Sequence, residues 1–234
     1  MRIVSLVPSS TETLLALGGN VVACTRFCEQ PDLRHVGGTK NPDVAAIIAL
    51  RPDLVVMDRE ENRLEDHDRL VAAGVRVVVS DVRSVADAIA LVGELTDIVG
   101  APPAVFERFQ AQFEELPVTC ERRSAFVPIW RRPWMSIGPG TYGASLLDRL
   151  GIDLVTDDAA DPYPTLELEE VAALDPDLVL VPSEPYDFRE PHLAELAAAL
   201  PNAMLHPIDG RDLFWWGFRT PSAIARLLEI TRSP

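Results

Sequence analysis

The chain has 234 residues, 47% hydrophobic and 24% charged, which is the composition of an ordinary globular protein large enough for one big domain or two small lobes. Its 36 acidic residues against 21 lysines and arginines give a net charge of −15. That charge repels phosphate backbones, so nucleic acid is excluded as a partner and an anionic membrane surface disfavoured.

The first element predicted is a buried strand over "RIVSLVP", a short apolar run stopped by Pro8. Met1-Arg2 leads straight into it, without the apolar region and small-residue cleavage site of a signal peptide. The chain as it stands therefore reads as cytoplasmic, and as extracytoplasmic if a leader has been trimmed. The longest run without a charge or a break, around 44–50, is far below the roughly 20 residues of a membrane span.

"SSTETLLALGG" predicts a helix, with Ser9 and Glu12 spaced as a capping box and Gly18-Gly19 as its stop. "VVACT" predicts a second strand, "NPDVAAIIALRPD" a short helix, "LVVMD" a strand, "NRLEDHDRLVAAG" a helix and "VRVVVSD" a strand. Alternating strands and helices argue for a parallel sheet covered on both faces. The rhythm then changes. Ser84 and Asp87 open a long helix, and Phe106, Phe109, Phe113 and Leu116 mark one stripe of another, ended by Pro117. Beyond it come a strand over "SAFVPIW", a helix over "GPGTYGASLLDRLG", another over "LELEEVAALDPD", a strand over "LVLVPSE", the helix "HLAELAAAL", the strand "AMLHPID" and a closing helix over "TPSAIARLLEIT".

The second half repeats the first. "LRPDLVVMDREEN" at 50–62 returns as "LDPDLVLVPSEPY" at 174–186, and the neighbouring elements recur in the same order. This predicts two similar α/β lobes with mostly parallel sheets: an N-terminal lobe over 1–83, a helical connector over 84–117 and a C-terminal lobe over 118–234. Ligands of open parallel sheets bind beyond the carboxyl ends of the strands, so two such lobes predict a small-molecule cleft.

The residues after each predicted strand are the candidate site. Ser9, Ser10 and Thr11 sit at a helix start, where hydroxyls and free N–H groups either hold an anionic or amide group or simply cap. Phe27 stands in the polar loop "RFCEQP". "DREEN" offers Glu60, Glu61 and Asn62; one glutamate accepts hydrogen bonds from ligand amides, and Glu184 is its counterpart in the second half. Aromatics crowd the second half: Trp130 and Trp134 around Arg131 and Arg132, then Tyr142, Tyr163, Tyr186, Phe188, and Trp215 with Trp216 at the end of the last strand. So many rings at one end of a sheet point to a flat or large apolar ligand, oriented by polar groups such as Arg131 and Thr141.

Catalysis is weakly signalled. Cys28 beside Glu29, or Glu60 with Glu61, would be the groups of an enzyme, but neither has partners at a recognisable spacing. Cys24, Cys28 and Cys120 form neither a disulfide framework nor, with His35, a zinc signature. Reduced thiols, no metal and no cofactor are expected.

"RIVSLVPSSTETLLALG", "VGGTKNPD", "ALRPDLVVMDREEN", "IWRRPWM" and "ALDPDLVLVPSEPY" together resemble the helical-backbone metal receptor superfamily, the class III substrate-binding proteins of ABC importers. They look closest to its cobalamin-binding members. The resemblance implies a monomer of two α/β lobes on a helical backbone. It implies a corrinoid held by Phe27, Trp130, Tyr163, Trp215 and Trp216, with a ferric siderophore or haem as the alternative ligand. It also implies an ABC permease as partner, docked through an acidic residue on each lobe. Glu169 matches that residue in the second lobe, whereas the first lobe has Ala45, with Asp43 nearby. That departure, and the missing leader, suggest a binder used for storage, delivery or sensing.

Overall fold

The computed structural model describes residues 1–114 and 122–232. Leu116, Pro117 and Cys120 lie outside the described residues. The chain divides into two compact units. The first holds Met1–Val82, Ala86–Gln112 and Trp216–Phe218; the second holds Arg83–Val85, the described residues from Phe113 to Trp215, and the chain from Arg219.

Unit 1 contains, in order, β1 (Ile3–Ser5), α1 (Pro8–Ala16), β2 (Val21–Cys24), β3 (Arg34–His35), α2 (Val44–Ala49), β4 (Leu54–Asp58), α3 (Leu64–Ala72) and β5 (Val77–Ser80). Most of α4 (Val85–Val99) and α5 (Pro103–Glu114), which make up the stretch expected as a connector, cluster with it. Its five strands are all parallel, in the order β3-β2-β1-β4-β5. Central strands β1 and β4 are buried along nearly their whole length, as strands of a parallel sheet are. Val4, Leu6, Val55, Met57, Ile47 and Leu70 form the core of that arrangement.

Unit 2 contains β6 (Arg123–Phe126), β7 (Pro128–Trp130), β8 (Trp134–Ser136), α6 (Tyr142–Arg149), β9 (Ile152–Leu154), β10 (Thr165–Leu166), α7 (Leu168–Ala173), β11 (Leu178–Pro182), α8 (Glu190–Ala199), β12 (Met204–Ile208), α9 (Gly210–Phe214) and α10 (Thr220–Arg232). Its main sheet is parallel, in the order β12-β11-β6-β9. A small antiparallel sheet, β10-β8-β7, extends from the end of β6.

The two parallel sheets share one topology. β2-β1-β4-β5 in unit 1 corresponds to β9-β6-β11-β12 in unit 2. The likeness reaches single residues. α1 and α6 both end on a leucine cap followed by a glycine at φ 76°, Gly18 and Gly151. α2 and α7 are both followed by a residue at φ 47°, Arg51 and Asp175, each just before a proline.

Two expectations are corrected. The Ser9–Glu12 capping box does not form: Pro8, whose ring fixes φ, occupies the first helical position, the cap is Val7, and no side chain caps the helix. "SAFVPIW" is not one strand, because the chain leaves the main sheet after Phe126 to pair in the small one.

Candidate ligand-binding site

In an open parallel sheet the ligand crevice lies where the strand order reverses, outside the carboxyl ends. In unit 1 that point falls between β1 and β4, and in unit 2 between β6 and β11. The loops leaving those four strands carry most of the predicted residues.

At the end of β1, Ser9, Ser10 and Thr11 are all buried in the first turn of α1. Thr11 Oγ1 lies 2.8 Å from Val7 O, 2.8 Å from Ser5 Oγ and 3.2 Å from Cys28 Sγ, so it faces the interior. Among the described residues, Ser10 Oγ is buried without a hydrogen-bond partner. At the end of β4, Asp58 organises the "DREEN" turn. Its Oδ1 accepts the Glu60 and Glu61 N–H groups at 2.9 and 3.2 Å, and its Oδ2 accepts the Ser80 hydroxyl at 2.7 Å. Burial nevertheless pushes the Asp58 carboxyl above its ordinary range. Asn62 closes the turn, accepting Asp58 N at 2.8 Å and donating to Thr39 O at 2.9 Å. Glu60 remains exposed, its carbonyl touched by the Lys40 ammonium. Phe27, after β2, is 49% exposed, with the Arg26 guanidinium 4.8 Å from its ring centre.

Unit 2 presents a connected set of rings. Trp130, 45% exposed, meets Tyr186 edge-on at 5.2 Å. Tyr186 contacts Phe188 at 4.7 Å, and Phe188 stacks on Trp134 at 5.9 Å and 3°. His192 joins this group, 5.6 Å from Tyr186, and its Nδ1 accepts the Arg189 N–H at 3.1 Å. Arg131 lies over Trp134 and is paired with Glu195 at 2.6 Å. Nearby, Glu184 accepts the Trp215 indole N–H at 2.8 Å, and the Arg219 guanidinium sits 5.0 Å from the Trp215 ring centre. Gly210 presses on Glu184: a Cβ there would come within 2.8 Å of the Glu184 N.

Other predicted residues sit elsewhere. Trp215 and Trp216 are buried, and they follow the short helix α9 rather than the last strand. Trp216 clusters with unit 1. Tyr142 is buried, its hydroxyl 2.8 Å from Thr220 Oγ1. Thr141 caps α6 by accepting Ala144 N at 3.2 Å. Tyr163 is half-buried in the loop before β10. Glu169 is exposed in the first turn of α7, and Ala45 takes the same place in α2. Asp58, His192 and Arg219 were not singled out from the sequence. The repeat could have found Asp58, since it precedes "REEN" as the register partner of Pro182.

Parallel sheets of this order, with the strand-end loops bearing the polar turn and the rings, define an α/β substrate-binding protein. The chain belongs to the periplasmic binding protein family, whose profile matches residues 3–198, and its fold is that of the class III substrate-binding proteins of ABC importers, which are non-enzymatic. Among its relatives is the vitamin B12-binding protein of Yersinia pestis (strain Pestoides F), 28% identical over 195 residues, covering 77% of this chain and 69% of the relative. The periplasmic vitamin B12 binding protein BtuF of Vibrio cholerae shares the fold with a TM-score of 0.78 at 19% identity, covering 100% of this chain and 98% of that one. The periplasmic haem-binding protein HutB of Vibrio cholerae does so with a TM-score of 0.79 at 21% identity, over 100% and 99%. Among the described residues, no helix is long and apolar enough to cross a membrane.

Proposed function

We propose that this chain is a non-catalytic binding protein for a corrinoid, a cobalamin-like ligand, received on the ring cluster of unit 2. The observation that carries the reading is the run Trp130–Tyr186–Phe188–Trp134 at the strand-order reversal, with Trp130 open to solvent. Each well-placed aromatic pair adds about 1 kcal/mol beyond the area it buries. In unit 1, Phe27 is an exposed ring in the loop after β2.

Two features bear on the alternative ligands. Arg131, the cation stacked on the platform, is neutralised by Glu195, which weakens its pull on an anionic ferric siderophore. His192 is the histidine among the rings, but its Nδ1 accepts a backbone N–H. The neutral ring then carries its proton on Nε2, which makes that nitrogen a donor rather than an axial ligand for haem iron. Delivery to an ABC permease through the exposed Glu169 belongs to the same reading.

Isothermal titration with cyanocobalamin tests it, with haemin titrated in parallel. A 1:1 isotherm weakened about tenfold by Trp130→Ala supports the corrinoid platform. Binding of haemin alone would overturn the ligand, and binding indifferent to Trp130→Ala would overturn the site. Cys28→Ser should leave affinity unchanged, as expected of a binder and not of a cysteine enzyme.

A further inference from the structure

β7 and β8 form a tight antiparallel hairpin, Trp130 paired with Met135, with Arg131, Arg132 and Pro133 as its tip. The two arginines of that tip differ. Arg131 lies over Trp134, and its charge is met by Glu195, 2.8 Å from Nε and 2.6 Å from Nη2. Arg132 is exposed, and among the described residues its guanidinium has no hydrogen bond, ion pair or ring contact. The carboxylates around the rings are committed elsewhere: Glu195 to Arg131, Asp187 to Arg189 at 2.8 Å, and Glu184 to the Trp215 indole at 2.8 Å. In a chain of net charge −15, a cation left uncommitted two residues from the 45% exposed Trp130 is a place for a ligand's negative charge. The backbone points the same way. Arg132 has φ 68°, the left-handed region that glycine enters freely and an arginine only with strain. No polar contact among the described residues offsets that strain. A guanidinium presents its donors as a planar fork matched to a phosphate or carboxylate. Ring and fork together suit a flat ligand with an anionic oxygen group at its edge.

We propose that Arg132 is a specificity-determining residue of the ring cluster, binding the phosphodiester of a corrinoid that carries its nucleotide while Trp130 takes the flat apolar part. This role rests on the corrinoid reading of the ring cluster and adds which corrinoids it selects. A cobinamide has the corrin ring but neither nucleotide nor phosphate, so it offers Arg132 no anion. Arg131 does not substitute, because Glu195 already meets its charge.

The parent, Arg132→Gly and Trp130→Ala proteins are titrated calorimetrically with cyanocobalamin and with dicyanocobinamide. Arg132→Gly should weaken cyanocobalamin about tenfold and leave dicyanocobinamide unchanged, whereas Trp130→Ala should weaken both. Comparing variant with parent for each ligand cancels the contribution of the nucleotide base, which both proteins meet alike. Arg132→Gly should unfold at the same or a higher urea concentration than the parent, since glycine adopts φ 68° freely, so its weaker binding is not a folding defect. Arg132→Lys should recover only part of the affinity, because it keeps the charge without the fork. Equal weakening of both ligands by Arg132→Gly, or of neither, would overturn the role of Arg132 and leave the ring platform standing. Absence of binding by either ligand would overturn the corrinoid reading and the role of Arg132 with it.

Discussion

Asp58 shows how a single residue holds the candidate site in shape at a cost. It receives two backbone N–H groups and a hydroxyl, all favouring the ionised form, yet burial dominates and its carboxyl is raised. A raised carboxyl binds its proton more tightly folded than unfolded, so this group makes stability rise as pH falls from neutrality, a gain complete below the ordinary value of 3.8. In Asp58→Asn the amide oxygen keeps the two N–H bonds, and Ser80 turns its proton to Met57 O, already 3.1 Å away. The variant should be as stable as the parent or more so near neutral pH, and should lose the acid-side rise. Urea unfolding of both proteins across mildly acidic pH checks this; a variant less stable at every pH would show that the carboxylate's bonds outweigh its burial. Sequence could place such residues after a strand, but not tell which way they turn. Thr11 and Tyr142 have the right chemistry for a ligand contact and point into the protein, while Phe27 and Trp130 face solvent.

At the scale of elements, the repeat was the most legible feature, because it recurs as helix, turn and strand in register. Its turn fixes more than the pattern reveals: Arg51 and Asp175 both adopt φ 47°, a left-handed conformation that costs a non-glycine residue roughly 1 kcal/mol. Arg51→Gly should therefore stabilise unit 1 by about 0.5 kcal/mol after glycine's extra unfolded entropy is counted. Asp175→Gly should gain less or nothing, because Asp175 Oδ1 accepts the Asn202 side-chain N–H at 3.0 Å and that bond would be lost. Chemical unfolding of the two variants separates the cases; equal shifts would mean the backbone alone decides. What the sequence hid were the shortest elements. β3, β9, β10 and α9 have two to five residues, too few to show a period. α9 matters most, since it moves Trp215 from a strand end to a helix end, where Glu184 and Arg219 hold it.

For the molecule as a whole the dominant quantity is the charge of −15. Near neutral pH the folded chain repels itself, and this repulsion falls as carboxylates begin to take up protons. Asp58 and Asp157, raised mainly by burial, act in the same direction, since the folded state binds their protons first. Opposing them, Asp153, Asp177 and Asp209 are held below the ordinary range by hydrogen bonds from Arg122, Ser124 and Arg211. Their contribution is present above 3.8 and is lost as pH falls through their folded values. His206, lowered first by burial, also opposes: the unfolded chain protonates it sooner, so stability drops as pH passes below 6.5. Above 3.8 the paired carboxylates no longer change, so falling repulsion, Asp58 and Asp157 act against His206 and put the maximum of stability on the acid side, at about pH 5. Added salt should raise the melting temperature near neutral pH by screening the repulsion, and should do less at the maximum, where the net charge is smaller. Thermal melts over a pH series at low and high salt read both effects. A melting temperature that climbed steadily from mild acid through neutrality and ignored salt would mean that His206, not the net charge, governs this protein's stability.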